Sequence, residues 1–294
     1  MKISIIGGGS IGLLVGSLLL ESNLDVTVYT RTIEQSYKIK EEGLLLTFPN
    51  GNTKHFCCKA KPIEEYTNDD DIVFIAVKSY QVMDVLPFII NSTHIVFLQN
   101  GITHIEILDK VNADVISIGI VEHGAVRSGL NSVHWRGVGK IRFSVVKGKI
   151  SSDILLLIKK VELLNFIVSS DYQKGLYEKL IINVCINPLT AILQVKNGVL
   201  IENPYYFSCM KQLFTESCDV LQISNLEREE LFNKVVQVCK KTCNNDSSMK
   251  VDVELGRKTE VDSILLPIIE RAAAQNKDVV HIKQIYWLVR GKEI

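Results

Sequence analysis

A glycine cluster at residues 7–12 constrains the fold of this chain more than any other feature. It follows a short β-branched stretch at residues 2–6 and precedes an apolar helical stretch at residues 11–21. Gly7, Gly9 and Gly12 thus match G-x-G-x-x-G directly between a strand and a helix, which predicts a βαβ unit that binds a dinucleotide. The phosphates would lie at the N-terminus of the helix. A glycine-rich turn without a ligand is the alternative.

The residue after the second strand indicates which dinucleotide is bound. An NAD enzyme usually has Asp or Glu there, which holds the ribose 2′-hydroxyl. This chain has Arg31, shortly after a predicted strand at residues 25–29. A guanidinium pairs with a 2′-phosphate, which a carboxylate would repel, so Arg31 favours NADP(H) over NAD(H). A solvated surface arginine is the alternative.

The length of 294 residues and the change in pattern along the chain predict two domains. Buried-strand patterns lie at 71–77, 94–98 and 114–118, and hairpin-like additions are expected at 41–56 and 133–147. Helical patterns follow at 172–193, 204–224, 228–244 and 261–276. We therefore expect an α/β fold, with a Rossmann-type doubly wound parallel sheet in residues 1–168 and an all-helical domain in residues 169–294. The two domains should pack closely around a cleft.

Composition and charge disfavour several classes of protein. Lys plus Arg equals Asp plus Glu at 33 each, so the global field favours neither nucleic acid nor an anionic membrane. Glycines interrupt the apolar run at residues 3–20, which argues against a signal peptide or a membrane span. The seven cysteines form no CxxC pair and no metal-ligand spacing. We expect a cytoplasmic protein with no metal, no nucleic acid and no membrane partner.

Two predicted strands end in polar residues at the edge where open α/β sheets bind ligands. Lys78 follows the strand at 71–77, and Asn100 follows the strand at 94–98. Both are therefore candidates to face a ligand. A solvated charge for Lys78 and a turn dipeptide for Asn100 with Gly101 are the alternatives.

The segment from Glu178 to Pro188 carries a polar stripe in apolar surroundings. Lys179, Asn183 and Asn187 are spaced four residues apart, which places them on one face of a helix. The residues between them are apolar, so most of the helix should be buried and the stripe must face something polar. The stripe indicates a site. A stripe that faces bulk water is the alternative, although it would be expected to carry more charge and less amide.

A second run of polar residues extends from residue 245 to residue 262. Ser248 and Glu260 are its candidates for a functional role. Ser248 could instead cap a helix, and Thr259 could cap a helix that begins near Glu260 and uses its carboxylate to complement the dipole. The run alone leaves both interpretations open.

Together these motifs resemble the ketopantoate reductase family, the 2-dehydropantoate 2-reductases of pantothenate and coenzyme A biosynthesis. The resemblance covers essentially the whole chain and rests on motifs that recur in order: GGGSIG with Arg31, AVKSYQV around Lys78, QNG around Asn100, EHGAVRSG around Ala125, KLIINVCINPLTAI, NGVL from Asn197, and SSM followed by GRKTEVD. It implies a Rossmann domain joined to an all-helical domain. One departure is that the family often has Val-Pro-x-Asn near the C-terminus, where residues 279–283 read Val-Val-His-Ile-Lys, which leaves helix ends and assembly open.

Carried over residue by residue, the resemblance implies that Lys179 is the catalytic proton donor. It implies a substrate-binding set of Lys179, Asn100, Asn183, Asn187, Asn197, Gly198 and Ser248. It implies a cofactor-binding set of Gly7, Gly8, Gly9, Ser10, Ile11, Gly12, Arg31, Lys78, Asn100, Ala125 and Glu260. His123 lies in the EHGAVRSG motif, and a packed, hydrogen-bonded histidine is favoured over a ligand contact.

The activity that the resemblance implies is the NADPH-dependent reduction of ketopantoate to pantoate, with a proton from the Lys179 ammonium to the developing alkoxide. A related NADPH-dependent reductase of another 2-oxo acid is one alternative. A non-catalytic NADP(H)-binding sensor is another, which the presence of Lys179 and the amide stripe disfavours. The expected partners are a small 2-oxo acid and, as a homodimer, a second copy of the chain.

Overall fold

The structure is a computed structural model that describes residues 1–293. It divides into two units by the contacts between its residues. The first unit comprises Met1–Gln99 and His104–Tyr172, and the second comprises Asn100–Thr103 and the chain from Gln173 onward. The short segment Asn100–Thr103 therefore belongs with residues far from it in sequence.

The first unit contains all the strands of the described chain and four of its helices. The strands are β1 (Lys2–Ile6), β2 (Asp25–Thr30), β3 (Leu44–Thr47), β4 (Thr53–Phe56), β5 (Lys59–Pro62), β6 (Ile72–Ile75), β7 (His94–Phe97), β8 (Val115–Val121), β9 (Gly124–Arg127), β10 (Ser132–Gly137), β11 (Ile141–Lys147) and β12 (Phe166–Val168). The helices are α1 (Ser10–Glu21), α2 (Ile33–Glu42), α3 (Val82–Ile89) and α4 (Ser152–Lys160).

Eight of the strands form the central sheet, in the order β12-β11-β8-β7-β6-β1-β2-β5. The six strands from β8 to β5 are parallel to one another. The chain moves to one side of β1 through β2 and β5 and then to the other side through β6, β7 and β8, which is the doubly wound order of a Rossmann fold. The predicted fold of the first half is confirmed. The ends of β1 and β6 meet at the point where the order reverses, and ligands of such sheets bind at this point.

The two hairpin-like additions had different outcomes. β3 and β4 pair antiparallel, as expected for residues 41–56, and with β10 and β9 they form a separate four-stranded sheet. The expectation for residues 133–147 was wrong. β10 lies in the small sheet, whereas β11 pairs antiparallel with β8 in the large one. Alternation of polar and apolar residues identifies a strand but does not identify its partner.

The second unit is helical. Its helices are α5 (Tyr172–Leu193), α6 (Val199–Glu202), α7 (Pro204–Val220), α8 (Asn225–Lys241), α9 (Ser248–Glu254), α10 (Val261–Ile264), α11 (Leu266–Ala274) and α12 (Val280–Lys292). α5 begins and ends where the sequence pattern predicted. The single helix expected at 261–276 is instead two helices, because Pro267, the second residue of α11, cannot donate the hydrogen bond that would continue α10. The sequence pattern gave no helix over α4, α6, α9 or α12.

Among the described helices, α5 is the one with the length and apolarity needed to cross a membrane, but 61% of its most apolar window is buried within the structure. Leu180, Val184 and Cys185 on this helix have no exposed surface. This burial is typical of the central helix of a folded domain.

The N-terminus of α12 is capped by a side chain from another helix. Glu216 of α7 accepts hydrogen bonds from the backbone N–H groups of His281 at 3.0 Å and Ile282 at 2.9 Å, and it also contacts the His281 ring. A carboxylate here satisfies two N–H groups that have no partner within the helix and complements the helix dipole. Residues 279–283 depart from the family pattern at this point. Here the carboxylate of Glu216 supplies the hydrogen-bond acceptors for the first turn of α12.

We expect Glu216→Ala to lower the stability of the protein by about 1.5 to 3 kcal/mol, because hydrogen bonds to a charged group are lost at a helix end. The measurement is the thermal melting temperature. Glu229→Ala is the matched control, since Glu229 is exposed on α8, and it should change stability by no more than about 0.5 kcal/mol. Equal melting temperatures for the two variants would contradict the capping role.

Candidate functional site

The glycine cluster forms a tight turn between β1 and α1. Gly7 has φ +116°, a conformation that favours glycine, and its N–H donates to the Tyr29 carbonyl at 2.8 Å. A Cβ on Gly12 would lie 1.9 Å from the Gly7 carbonyl oxygen, so only glycine lets the helix start so close to the strand. The turn and the close packing of helix on strand thus require glycine at the first and third positions of the motif.

The middle glycine of the motif has a different surrounding. A Cβ on Gly9 would approach only the Ala76 carbonyl oxygen, at an ordinary 3.8 Å. No atom of residues 1–293 therefore requires glycine at this position, whereas a phosphate lying against the backbone would. Gly9 is also the N-cap of α1, and the first turn of this fully described helix carries no acidic side chain. The loop consequently fits an anion such as a pyrophosphate.

Two predicted cofactor residues follow β2 and β6, the strands on either side of β1 in the central sheet. Arg31 is exposed directly after β2, and Lys78 is half-buried after β6. The backbone before Lys78 packs directly against the glycine loop. A Cβ on Gly7 would lie only 2.9 Å from Val77 N. Gln99 fixes this segment by donating to the carbonyls of Ile75 at 2.8 Å and Val77 at 3.1 Å.

β9 also reaches the glycine loop. Arg127, at the end of this strand, donates from Nη1 to the Gly8 carbonyl at 3.3 Å. Ala125 lies two residues earlier on the same strand, is half-buried, and faces the same side because side chains alternate along a strand. The structure thus brings the strand of Ala125 to the loop through Arg127, a residue that the sequence reasoning did not select.

In the second unit, Asn100 contacts Glu260. The Asn100 amide Nδ2 donates to Glu260 Oε2 at 3.2 Å, and the Glu260 side chain is buried. Gly101 makes this contact possible. It has φ +80°, and a Cβ there would lie 2.3 Å from the Ser263 carbonyl oxygen of α10. Asn100 and Glu260 are 160 positions apart in sequence, so it is the fold that brings these two predicted site residues together.

The polar stripe on α5 has the burial that the sequence suggested. Lys179 is half-buried, Asn183 is 6% exposed and Asn187 is 9% exposed. Amides this deeply buried are costly unless a polar group faces them. One turn beyond Asn187, Thr190 Oγ1 forms a 2.7 Å hydrogen bond with Ser247 Oγ. This bond ties the helix of the stripe to the residue before Ser248.

Ser247, and not Ser248, is the cap of α9. Its hydroxyl accepts a hydrogen bond from the Lys250 N–H at 3.1 Å. Ser248 is the first residue of the helix and is exposed. The structural alternative for Ser248, a capping role, was therefore wrong, because the adjacent serine performs it. For Glu260 the outcome is different. Thr259 Oγ1 accepts from the Val261 N–H at 3.1 Å at the start of α10, as the alternative expected, whereas Glu260 precedes the helix and its carboxylate accepts from Asn100.

Asn197 and Gly198 pack against the loop that precedes Ser248. The Asn197 N–H donates to the Asn245 carbonyl at 3.1 Å, and its Nδ2 donates to Thr242 Oγ1 at 2.9 Å. Gly198 N–H donates to the Cys243 carbonyl at 3.2 Å. Asn197 Oδ1 is buried and has no hydrogen-bond partner among residues 1–293. A buried acceptor in this position suits a ligand that carries a hydroxyl or N–H group.

His123 is a structural residue. Its Nδ1 accepts from the Gly139 N–H at 3.0 Å, so Nε2 carries the proton and donates to the Leu164 carbonyl at 3.0 Å. Burial lowers the pKa of this histidine below its ordinary value. The interpretation as a packed, hydrogen-bonded histidine is confirmed.

Family models match both parts of the chain. The model described as ketopantoate reductase PanE/ApbA matches residues 3–148, and the model described as ketopantoate reductase PanE/ApbA C terminal matches residues 171–293. A 2-dehydropantoate 2-reductase from Bacillus subtilis is 39% identical over 298 residues, covering 100% of this chain and 98% of the relative.

Solved structures agree with this result. The crystal structure of a probable 2-dehydropantoate 2-reductase PanE from Bacillus subtilis is 38% identical, covers 100% of both chains and has a TM-score of 0.86. A ternary structure of D-mandelate dehydrogenase with NADH and anilino(oxo)acetate is similar with a TM-score of 0.91, 24% identity and coverage of 100% and 98%. At that identity the second similarity concerns the fold alone.

We expect Gly101→Ala to destabilise the protein by more than the roughly 1 to 2 kcal/mol that a left-handed conformation costs an alanine, because its Cβ would also collide with the Ser263 carbonyl. Gly256→Ala is the matched control. Gly256 has φ +60°, but a Cβ there meets no atom within 4 Å. Thermal melting compares the two variants, and equal losses would show that the approach to α10 is unimportant.

Proposed function

Because the chain belongs to the ketopantoate reductase family, we propose that it reduces 2-dehydropantoate (ketopantoate) to pantoate with NADPH as the hydride donor. The observation that carries the proposal is the stripe on α5, where a half-buried Lys179 precedes the buried amides of Asn183 and Asn187. A cation followed by two amides suits a small, anionic and hydroxylated substrate.

The cofactor residues divide by the part of NADPH that they would hold. The N–H groups of the Gly7–Gly12 loop and the N-terminus of α1 would bind the pyrophosphate. Arg31 would pair with the 2′-phosphate. Lys78, Asn100, Ala125 and Glu260 are proposed to line the remainder of the cofactor. Bound NADPH would supply a hydride to C2 of the 2-oxo acid.

Lys179 performs the proton step of the proposal. Its Nζ ammonium donates a proton to the oxygen on C2 as negative charge develops there, and its positive charge stabilises that oxygen before the transfer. Asn183, Asn187 and Ser248 hold the substrate by hydrogen bonds. Asn197 Oδ1, buried without a partner among residues 1–293, is proposed to accept from a substrate hydroxyl, and Gly198 to shape the backbone beside it.

A related reduction of another 2-oxo acid is the second candidate, because the same lysine and amides would serve any substrate that shares the 2-oxo acid group. Consumption of NADPH with ketopantoate, compared with a panel of other 2-oxo acids, separates the two. Absence of turnover with every acid, together with tight NADPH binding, would support the non-catalytic sensor instead.

Location and assembly are also proposals. We propose a cytoplasmic protein, in keeping with a biosynthetic role and with seven cysteines that are free thiols. We propose a homodimer, because Trp287 at 69% and Leu288 at 54% exposure leave apolar surface on α12 that a second copy would cover.

Arg31→Asp should weaken NADPH binding by about tenfold to several hundredfold, because a charge-assisted pair becomes a repulsion between like charges. Binding of NADH, which lacks the 2′-phosphate, should change much less. Fluorescence titration of both cofactors is the measurement. Lys149→Asp changes the net charge equally at an exposed position after β11 and is the control. Equal losses of affinity for NADPH and NADH would contradict the assignment of Arg31 to the 2′-phosphate.

Lys179→Met should lower kcat by about 10² to 10⁴, the usual contribution of a positioned acid, with little change in NADPH affinity or melting temperature. Lys174→Met is the matched control on the same helix. Lys174 pairs at the surface with Glu227, so its loss should leave kcat nearly unchanged. A Lys179→Met variant that keeps more than about a tenth of the wild-type kcat would contradict the role as general acid.

A further inference from the structure

Gln35 is a buried polar side chain beside the glycine loop that the mechanism does not use. It lies on α2 and is 7% exposed. Its Nε2 donates to the Gly8 carbonyl at 2.7 Å and to the Leu130 carbonyl at 2.7 Å. A primary amide has two N–H donors, so this group satisfies both of them on backbone carbonyls. The Gly8 carbonyl belongs to the glycine loop, and the Leu130 carbonyl belongs to the turn between β9 and β10.

The Gly8 carbonyl receives a second donor. Arg127 Nη1 lies 3.3 Å from the same oxygen. A carbonyl oxygen has two lone pairs, and here Gln35 and Arg127 approach both. Three separate segments, α2, the β9–β10 hairpin and the glycine loop, are therefore joined at one oxygen atom.

Fixing this oxygen also fixes the next N–H group of the loop. The peptide between Gly8 and Gly9 is planar and trans, so the Gly9 N–H points opposite to the Gly8 carbonyl. Gly9 is the N-cap of α1, where the loop fits an anion. Donors on the carbonyl side further polarise the peptide, and this strengthens its N–H as a donor on the other side.

The same contact leaves no room for a side chain at Gly8 while Gln35 keeps this position. A Cβ on Gly8 would lie 2.4 Å from Gln35 Nε2 and 2.6 Å from its Cδ. The amide of Gln35 thus packs directly on the Gly8 backbone. Movement of the loop away from α2 would break the hydrogen bond from Gln35 to the Gly8 carbonyl.

We propose that Gln35 is a positioning residue for the dinucleotide pyrophosphate, acting through the Gly8–Gly9 peptide with Arg127 as the second donor. The inference rests on the proposed dinucleotide function of the loop. It assigns Gln35 a role distinct from that of Arg31, because the pyrophosphate is common to NADPH and NADH whereas the 2′-phosphate is not.

The test is direct titration of NADPH and NADH with Gln35→Met, which keeps the length of the side chain and removes both donors. We expect Kd for both cofactors to rise by about tenfold, the usual effect of one or two lost hydrogen bonds at a site. At saturating NADPH, kcat should stay within about twofold and KM for ketopantoate should not change. A merely structural residue would not produce this division between cofactor affinity and turnover.

Asn131→Leu is the matched control. Asn131 lies in the same hairpin turn, and its Nδ2 donates to the carbonyl of another glycine, Gly43, at 2.8 Å. Like Gln35, it donates from a side-chain amide to a glycine carbonyl, but it does not donate to the glycine loop at residues 7–12. We expect it to lower the melting temperature as much as Gln35→Met does and to leave both Kd values unchanged.

Arg127→Met supplies a second, independent variant and decides the question if Gln35→Met does not fold. It should also raise both Kd values, because it removes the other donor to Gly8. Unchanged Kd values in the folded variants, or a rise equal to that of Asn131→Leu, would overturn the proposal. A wild-type protein that bound neither cofactor would instead contradict the proposed function.

Discussion

The close approach of α1 to β1 is the constraint on which the rest of the first unit depends. The Cβ that glycine lacks at position 12 would lie 1.9 Å from the Gly7 carbonyl, so the helix can begin one turn after the strand only with these residues. That start places the N-terminus of α1 at the reversal point of the sheet. The ends of β2, β6 and β9 then meet at this loop, which they contact through Tyr29, Val77 and Arg127.

In the second unit, burial is the corresponding constraint. α5 lies among apolar neighbours along most of its length, yet retains Lys179 and two amides in one line. The protein keeps these groups in place through contacts at the edges of the stripe. Thr190 forms a hydrogen bond with Ser247, and Asn197 forms one with Thr242. The helix that carries the cation and the loop that leads into α9 at Ser248 are consequently parts of one hydrogen-bonded assembly.

The sequence was most informative where the controlling interaction was local. The periods of strands and helices predicted the Rossmann sheet, the bounds of α5 and the three-residue stripe, because these depend on residues within a few positions of one another. It failed where distant residues decide. Gln35, Arg127 and the Glu216 cap are defined by partners that are 27 to 119 positions away. Neither a pattern nor a propensity contains that information, and adjacent serines at 247 and 248 could not be distinguished without the fold.

The segment Asn100–Thr103 has a consequence for the modularity of the chain. In sequence it lies between β7 and β8 of the first unit, but the residues that it contacts, Glu260 and Ser263, lie near the C-terminus. The polypeptide therefore passes between the units after Gln99, after Thr103 and after Tyr172. A gene fragment that ended at residue 172 would encode this segment without the groups it packs on. Recombination between homologues at that boundary would exchange matched contacts for unmatched ones, so the two halves are expected to be inherited together and not shuffled as separate modules.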